Sequence, residues 1–247
     1  MYMQSNAVRK SEAYLAGTPT MPAGDLHGVF SAQIVERLDQ GEALFWQGDI
    51  AKHVFEVVTG ALRTVRVLSD GRRVITGFLF PGDIVGVSLR DRYLTTVEAI
   101  APTSVRRFGR RRFEEEVERT PALRPQLLAR LHDEMAAAQD QVVLLARKNA
   151  EERVASFLLT LVRRMERNGS QPASVIDIPM TRLDMADFLG LTIETVSRIM
   201  TRLTARGIIA PAGRHAITVE RPAALATLAV DDQEDEELGA PALAWAN

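Results

Sequence analysis

The stretch Thr181-Arg-Leu-Asp-Met-Ala-Asp-Phe-Leu-Gly190-Leu-Thr-Ile-Glu-Thr-Val-Ser-Arg198 decides how the chain reads. Thr181, with an acid three residues on, is a helix start, because a hydroxyl at the N-cap satisfies the free backbone N–H groups of the first turn. Leu183, Ala186, Phe188 and Leu189 give an apolar face lasting barely two turns, and Gly190 stops the helix as a left-handed residue does. Leu191 fills the turn and Thr192 caps a second helix. There Val196, Ile199, Met200 and Leu203 recur at i, i+3, i+4 and i+7 and point inward, which leaves Glu194, Ser197, Arg198 and Arg202 on the outer face. Two short helices joined by a tight glycine turn are a helix-turn-helix, whose second member fits the major groove of DNA. Small Ala186 allows the first helix to pack closely.

The residues around this stretch extend the motif. Gly207 ends the second helix, and Ile208–Ala210 with Ala216–Val219 read as a two-stranded wing around Gly213-Arg214. Arg198 can give two donors to guanine O6 and N7, Glu194 can accept from a cytosine amino group, and Ser197 permits close approach to a thymine edge. Taken singly, Glu194 is equally an acid stabilised near a helix N-terminus, and Arg198 an ordinary exposed charge. Upstream, Gln171–Ile178 is extended and limited by Pro172 and Pro179. Before it, Asn149-Ala150-Glu151-Glu152 is a capping sequence for an amphipathic helix that closes at Asn168-Gly169.

A long helix precedes that one, from about Pro125 to Asn149. Leu128, Leu131, Met135, Ala138, Val142 and Leu145 alternate spacings of three and four, a heptad seam suited to packing on a second copy of the chain. The same seam can also pack on the protein's own domain; small Ala138 and flexible Met135 favour the two-stranded crossing. From Phe30 to Phe108 the pattern differs again. Ala43–Trp46, Val54–Val58, Leu62–Leu68, Val74–Phe80, Ile84–Val87, Leu94–Ile100 and Ser104–Phe108 are strand-length apolar runs. Gly48-Asp49, Thr59-Gly60, Ser69-Asp70-Gly71 and Pro81-Gly82-Asp83 separate them as turns. Many short strands with regular turns indicate a sandwich, barrel or jelly roll, and Arg111–Arg119 is a short helix.

Composition bounds the rest. The 247 residues are 46% apolar and 25% charged, with no cysteine, which excludes disulfides, thiolate metal sites and iron–sulfur clusters. No apolar run is long enough to span a bilayer and residues 1–20 lack a signal-peptide layout, so a cytoplasmic protein without a membrane partner is expected. The net charge of −2 conceals an asymmetry: residues 231–247 hold six acids and no base, which leaves +4 on the remainder. A solvated acidic tail masks a basic body; a polymerase-contact or autoinhibitory use of it is the alternative.

The chain resembles the cyclic-AMP receptor protein and fumarate–nitrate reductase regulator (Crp/Fnr) superfamily over roughly residues 29–225. Leu191-Thr-Ile-Glu-Thr-Val-Ser-Arg198, Leu144-Leu-Ala-Arg-Lys-Asn-Ala-Glu-Glu-Arg153 and His53-Val-Phe-Glu-Val-Val-Thr-Gly60 carry the resemblance, and they look like the FNR/FixK branch. It implies an α+β fold with an N-terminal β-roll (a cyclic-nucleotide-binding-like jelly roll), a long dimerisation helix and a C-terminal winged helix-turn-helix. The expected division is a flexible segment at 1–28, the β-roll at 29–119, the dimerisation helix at 120–149, the winged domain at 150–222 and an acidic tail at 223–247. The resemblance implies Glu194, Ser197 and Arg198 as base readers and Thr181, Arg182, Thr192 and Thr195 as phosphate contacts, which fix register rather than sequence. Arg202 and Arg214 are expected to join the phosphate contacts. Ile193 stands where the cyclic-AMP receptor has an arginine. That argues against its TGTGA half-site and for a palindromic TTGAT-N4-ATCAA site.

The resemblance further implies a non-enzymatic homodimer that binds double-stranded DNA and RNA polymerase, an activator more than a repressor, controlling low-oxygen respiratory genes. A cyclic-nucleotide phosphate cassette needs Gly-Glu and later Arg-Ser. Gly86 is followed by Val87-Ser88, and Tyr93-Leu94 stand at the Arg-Ser positions, so the charge-assisted phosphate contact is missing. Arg90 and Arg92 do not match its spacing. His27, His53, His132 and His215 leave haem as an alternative effector for a ligand-gated sensor, but no cofactor is the expectation. A cysteine near the recognition helix, which tunes some FixK-type proteins, is absent.

Overall fold

A computed structural model describes residues 25–87, 90–167 and 175–229. Residues 1–24, Ser88, the Asn168-Gly169 helix end, the Gln171–Pro172 approach and the acidic stretch 231–247 lie outside the described residues. Eight strands come first: β1 Val35–Leu38, β2 Ala43–Phe45, β3 His53–Thr59, β4 Leu62–Val67, β5 Arg73–Leu79, β6 Ile84–Val85, β7 Thr96–Ala99 and β8 Thr103–Gly109. They form two antiparallel four-stranded sheets, ordered β1-β8-β3-β6 and β2-β7-β4-β5. Apolar residues face inward between the sheets, where Leu38, Phe45, Phe55, Leu62, Val97 and Val105 are buried. The Asp70-Gly71 turn joins β4 to β5 as expected, with Gly71 at φ 83°. Gly60 is forced by its surroundings. At φ +84° a Cβ would lie 2.4 Å from the Pro102 carbonyl oxygen.

Helices α1 (Arg110–Arg119) and α2 (Leu123–Arg147) follow. Pro125 sits in the first turn of α2, where its missing N–H costs no hydrogen bond. Phe30 is fully buried and meets Phe108 and Phe113 at centroid distances of 5.9 and 5.8 Å, tying the chain ahead of β1 to β8 and α1. Such a ring contributes about 1.5–3 kcal/mol on burial.

The C-terminal unit contains α3 (Ala150–Arg167), β9 (Val175–Asp177), α4 (Arg182–Leu189), α5 (Ile193–Ala205), β10 (Ile209–Pro211), β11 (Ala216–Val219) and α6 (Pro222–Ala229). Val154, Leu158, Ile176, Met185, Leu189, Val196 and Leu203 build its core. Two expectations need correction. The wing is three-stranded, ordered β10-β11-β9, because the extended stretch after residue 174 pairs Ile176 with Ile217. The stretch from residue 223, read as acidic tail, begins as α6, whose Leu225 and Ala229 are buried against the same core. The chain also gains β1, which pairs with β8 through Leu38 and Thr103.

Candidate nucleic-acid interface

The α4–turn–α5 unit is built as its residues dictate. Thr181 Oγ1 accepts from the Asp184 N–H at 3.1 Å, and the Thr181 N–H donates to Asp184 Oδ2 at 2.9 Å, a reciprocal capping box. Gly190 is left-handed at φ 62°, and its N–H donates to the Ala186 carbonyl, ending α4 within one turn of the next cap. Thr192 Oγ1 accepts from the Thr195 N–H at 3.2 Å, which starts α5. Val196, Ile199, Met200 and Leu203 are all buried, and this rotation of α5 leaves Glu194, Ser197 and Arg198 exposed on the opposite side.

The chemistry of that face is polar and charged. The Glu194 carboxyl is held below the usual carboxylate range by its own backbone N–H, the Thr192 hydroxyl and the Arg198 guanidinium one turn on. It therefore stays an acceptor at neutral pH. Arg198 enters no ion pair among the described residues, so its donors remain available. Beside α5 a cleft of about 680 Å³ runs under the wing, lined by Thr181, Arg182, Ser197, Thr201, Arg214 and His215 among others. Ser197 thus belongs both to the exposed face and to the cleft.

The phosphate-contact candidates divide. Arg182 is half-buried, its Nη1 lies 3.2 Å from the Met185 sulfur, and burial lowers its pKa. It has no carboxylate partner among the described residues. Arg214 is exposed between β10 and β11. Thr181 spends its hydroxyl hydrogen on Asp184 Oδ2 at 2.7 Å, whereas Thr192 uses its oxygen as an acceptor in the cap. Arg202 turns away from the others, with Nη1 3.3 Å from Glu151 Oε2, and Arg206 joins the same carboxylate at 2.9 Å. Arg206 was not singled out in the sequence, and only its place one turn after Arg202 points to it.

The heptad residues lie along α2. Leu128, Met135, Val142 and Leu145 are exposed large apolar residues, Leu128 and Val142 at 66% each. Ala138 is exposed too, and Leu131 is half-buried. Val143, at 50% exposure, widens the seam. Leu144, by contrast, turns into the core of the C-terminal unit.

Inside the β-roll, the space beside Gly86 is filled by protein. Tyr93 stacks on Phe45 at 3.7 Å between centroids, and its hydroxyl donates to the His53 carbonyl at 2.8 Å. Gly86 at φ +87° sits so close that a Cβ would approach the His53 carbonyl to 2.9 Å. His27 pairs with Glu56, and burial followed by the Arg107 charge lowers the His53 pKa. His132 and His215 are exposed. Among the described residues no group of three His, Cys, Asp or Glu is arranged to hold a metal ion, and no helix is long and apolar enough to cross a membrane.

Comparison with known proteins agrees with this geometry. Residues 152–228 match the Crp-like helix-turn-helix domain and residues 35–120 the cyclic nucleotide-binding domain. The chain is 41% identical to the transcriptional activatory protein AadR of Rhodopseudomonas palustris, over 75% of this chain and 78% of that one. It is 38% identical to the nitrogen fixation regulation protein FixK of Rhizobium meliloti, over 79% and 87% respectively. The solved structure of FixK2 from Bradyrhizobium japonicum superposes with a TM-score of 0.74 at 36% identity, covering 80% of this chain and 97% of that one.

Proposed function

Because the chain belongs to the FixK-like branch of the Crp/Fnr family of DNA-binding transcription regulators, we propose that it acts as a homodimeric activator at a TTGAT-N4-ATCAA-type site. The observation that carries this reading is the exposed triplet Glu194, Ser197 and Arg198 on one face of a helix capped at its start and supported by a buried opposite face. Arg198 reads guanine through two donors and Glu194 accepts from the cytosine amino group. Ile193, exposed at the first position of α5, offers no donor for a further guanine. Arg182, Arg214 and the Thr192–Thr195 turn hold phosphates and fix register, with Thr181 and Arg202 in supporting positions.

Two copies meet along α2, which covers Leu128, Met135, Ala138, Val142 and Leu145 with Leu131 at their edge. A two-fold dimer then presents two recognition helices to an inverted repeat. Activation implies a contact with RNA polymerase, and a DNA partner implies work in the compartment that holds the chromosome. Low-oxygen and respiratory genes are the proposed targets, on the resemblance to the FNR/FixK branch alone. Tyr93 and Phe45 occupy the roll beside Gly86, which supports binding without a cyclic nucleotide. The test is a titration of purified, colourless, ligand-free protein against a TTGAT-N4-ATCAA duplex and a scrambled duplex. Tight binding confined to the first supports the reading. Equal binding to both, or binding that appears only on addition of haem or a cyclic nucleotide, refutes it.

A further inference from the structure

The β-roll and the C-terminal unit are not joined by the α2–α3 junction alone. Arg63 on β4 donates from Nη1 to Asp184 Oδ1 at 2.5 Å, and from Nη2 and Nε to Glu98 Oε2 on β7 at 2.7 and 3.0 Å. Asp184 is the capping-box acid of α4, so a strand of the roll grips the first turn of the helix-turn-helix. A second grip lies at the Pro81-Gly82-Asp83 turn. Asp83 Oδ2 accepts from Arg164 of α3 at 2.5 Å, and Asp83 Oδ1 pairs with Arg130 of α2 at 3.5 Å. Arg130 also donates to the Gly82 carbonyl at 2.6 Å. One carboxylate therefore links the roll, the long helix and the DNA-binding unit. Between the two grips, Phe78 of β5 packs on Phe157 and Phe188 at 5.9 and 5.3 Å.

These contacts bear on DNA geometry. The helix breaks at Lys148, whose backbone is extended at ψ 142°, so only Lys148 and Asn149 separate α2 from α3. Without lateral contacts, the reading helix of each copy would swing about that break. In a duplex, one added base pair moves a half-site by about 3.4 Å and turns it by about 35°. A reading helix held rigidly on the roll tolerates neither change.

We propose that Arg63 and Asp83 are positioning residues for DNA binding, which fix the helix-turn-helix against the β-roll through Asp184 and Arg164 and so set the half-site spacing the dimer accepts. The inference rests on the dimeric inverted-repeat reading above. Both carboxylates of the Arg63 grip are buried, Glu98 and Asp184 each at 5% exposure, so neither pair is a solvated surface contact. Asp83 is buried as well, at 8%.

The test uses full-length protein and fluorescent duplexes with TTGAT and ATCAA arms separated by three, four or five base pairs. The variants are Arg63→Met and, as a milder change whose partner Asp83 sits in a turn and caps no helix, Arg164→Met. Wild type should favour the four-base-pair spacer by at least about 10-fold, and each variant should compress that preference to about 3-fold or less. Thermal unfolding and sedimentation of each variant show whether it folds and dimerises; Arg164→Met decides if Arg63→Met does not fold. A purely structural role would weaken all three duplexes in proportion and leave the ratio as in wild type, which overturns the inference alone. No spacer preference in wild type overturns the inverted-repeat reading and the inference together.

Discussion

Arg198→Ala isolates base reading from folding. The side chain is exposed on α5 and takes part in no ion pair among the described residues, so its loss leaves the fold within about 0.5 kcal/mol of wild type. A bidentate arginine–guanine contact discriminates by about 1–3 kcal/mol. A dimer loses one in each half-site, so the affinity for the palindrome falls by about 2–6 kcal/mol, or about 30-fold to about 10⁴-fold. The assay is fluorescence anisotropy at constant salt with two duplexes, the TTGAT-N4-ATCAA site and the same site with both G·C pairs replaced by A·T. Wild type should bind the second duplex much more weakly, and the variant should lose most of that preference, keeping only the part that Glu194 gives through the paired cytosine. The slope of log affinity against log salt supplies a control. It should hardly change for Arg198→Ala, whereas Arg214→Ala, which removes a phosphate contact per subunit, should reduce it by about 0.9 per contact. An Arg198→Ala protein that prefers the guanine duplex as strongly as wild type would refute the assignment of Arg198 to that base.

Two further outcomes are expected. Val142→Asp puts a carboxylate into the proposed α2 seam on both chains, at a cost of about 3–5 kcal/mol for each uncompensated buried charge; sedimentation should show a folded monomer, and a stable dimer would count against the seam. The hydrogen bond to Glu56 raises the His27 pKa, helped by the Glu56 and Asp25 charges and opposed by burial and Arg130. A raised folded-state value stabilises fully below the ordinary pKa and is lost as pH climbs through the higher one. The gap in Tm between wild type and His27→Ala should therefore be wider at about pH 5.5 than at about pH 8.5, and a gap independent of pH would contradict the pairing.

The parts of the fold that were legible in the sequence are those whose cause is local. Thr181 and Asp184 lie three residues apart, Gly190 closes its own helix, and Val196 to Leu203 repeat within two turns, so the helix-turn-helix is visible at short range. Glu194, Ser197 and Arg198 are then outward by subtraction. Strand β1 escaped because only Leu38 of its four residues is buried, while Glu36 and Arg37 give it the look of a loop. Helix α6 escaped for a different reason. Its Ala-rich run lacks a polar face to mark a period, and the acids beyond it dominate the composition. Strand β9 is three residues long, and only its pairing with β11 makes it a strand.

What no local pattern reveals is a contact between residues far apart in the chain. Arg63 and Asp184 are 121 residues apart, and Asp184 already has a sufficient local explanation as a capping acid. A carboxylate has two oxygens, however, and the capping box uses only Oδ2. The remaining oxygen is buried with it and needs a partner, which Arg63 supplies. The same reasoning applies to Asp83, whose turn role accounts for the hydrogen bond from the Phe80 N–H but not for Arg164 and Arg130. In both places a residue with a complete local role also carries a long-range one. The positioning of the DNA-binding unit therefore depends on residues that a motif search assigns to a cap and a turn, and substitutions there should alter operator geometry while leaving the reading face itself intact.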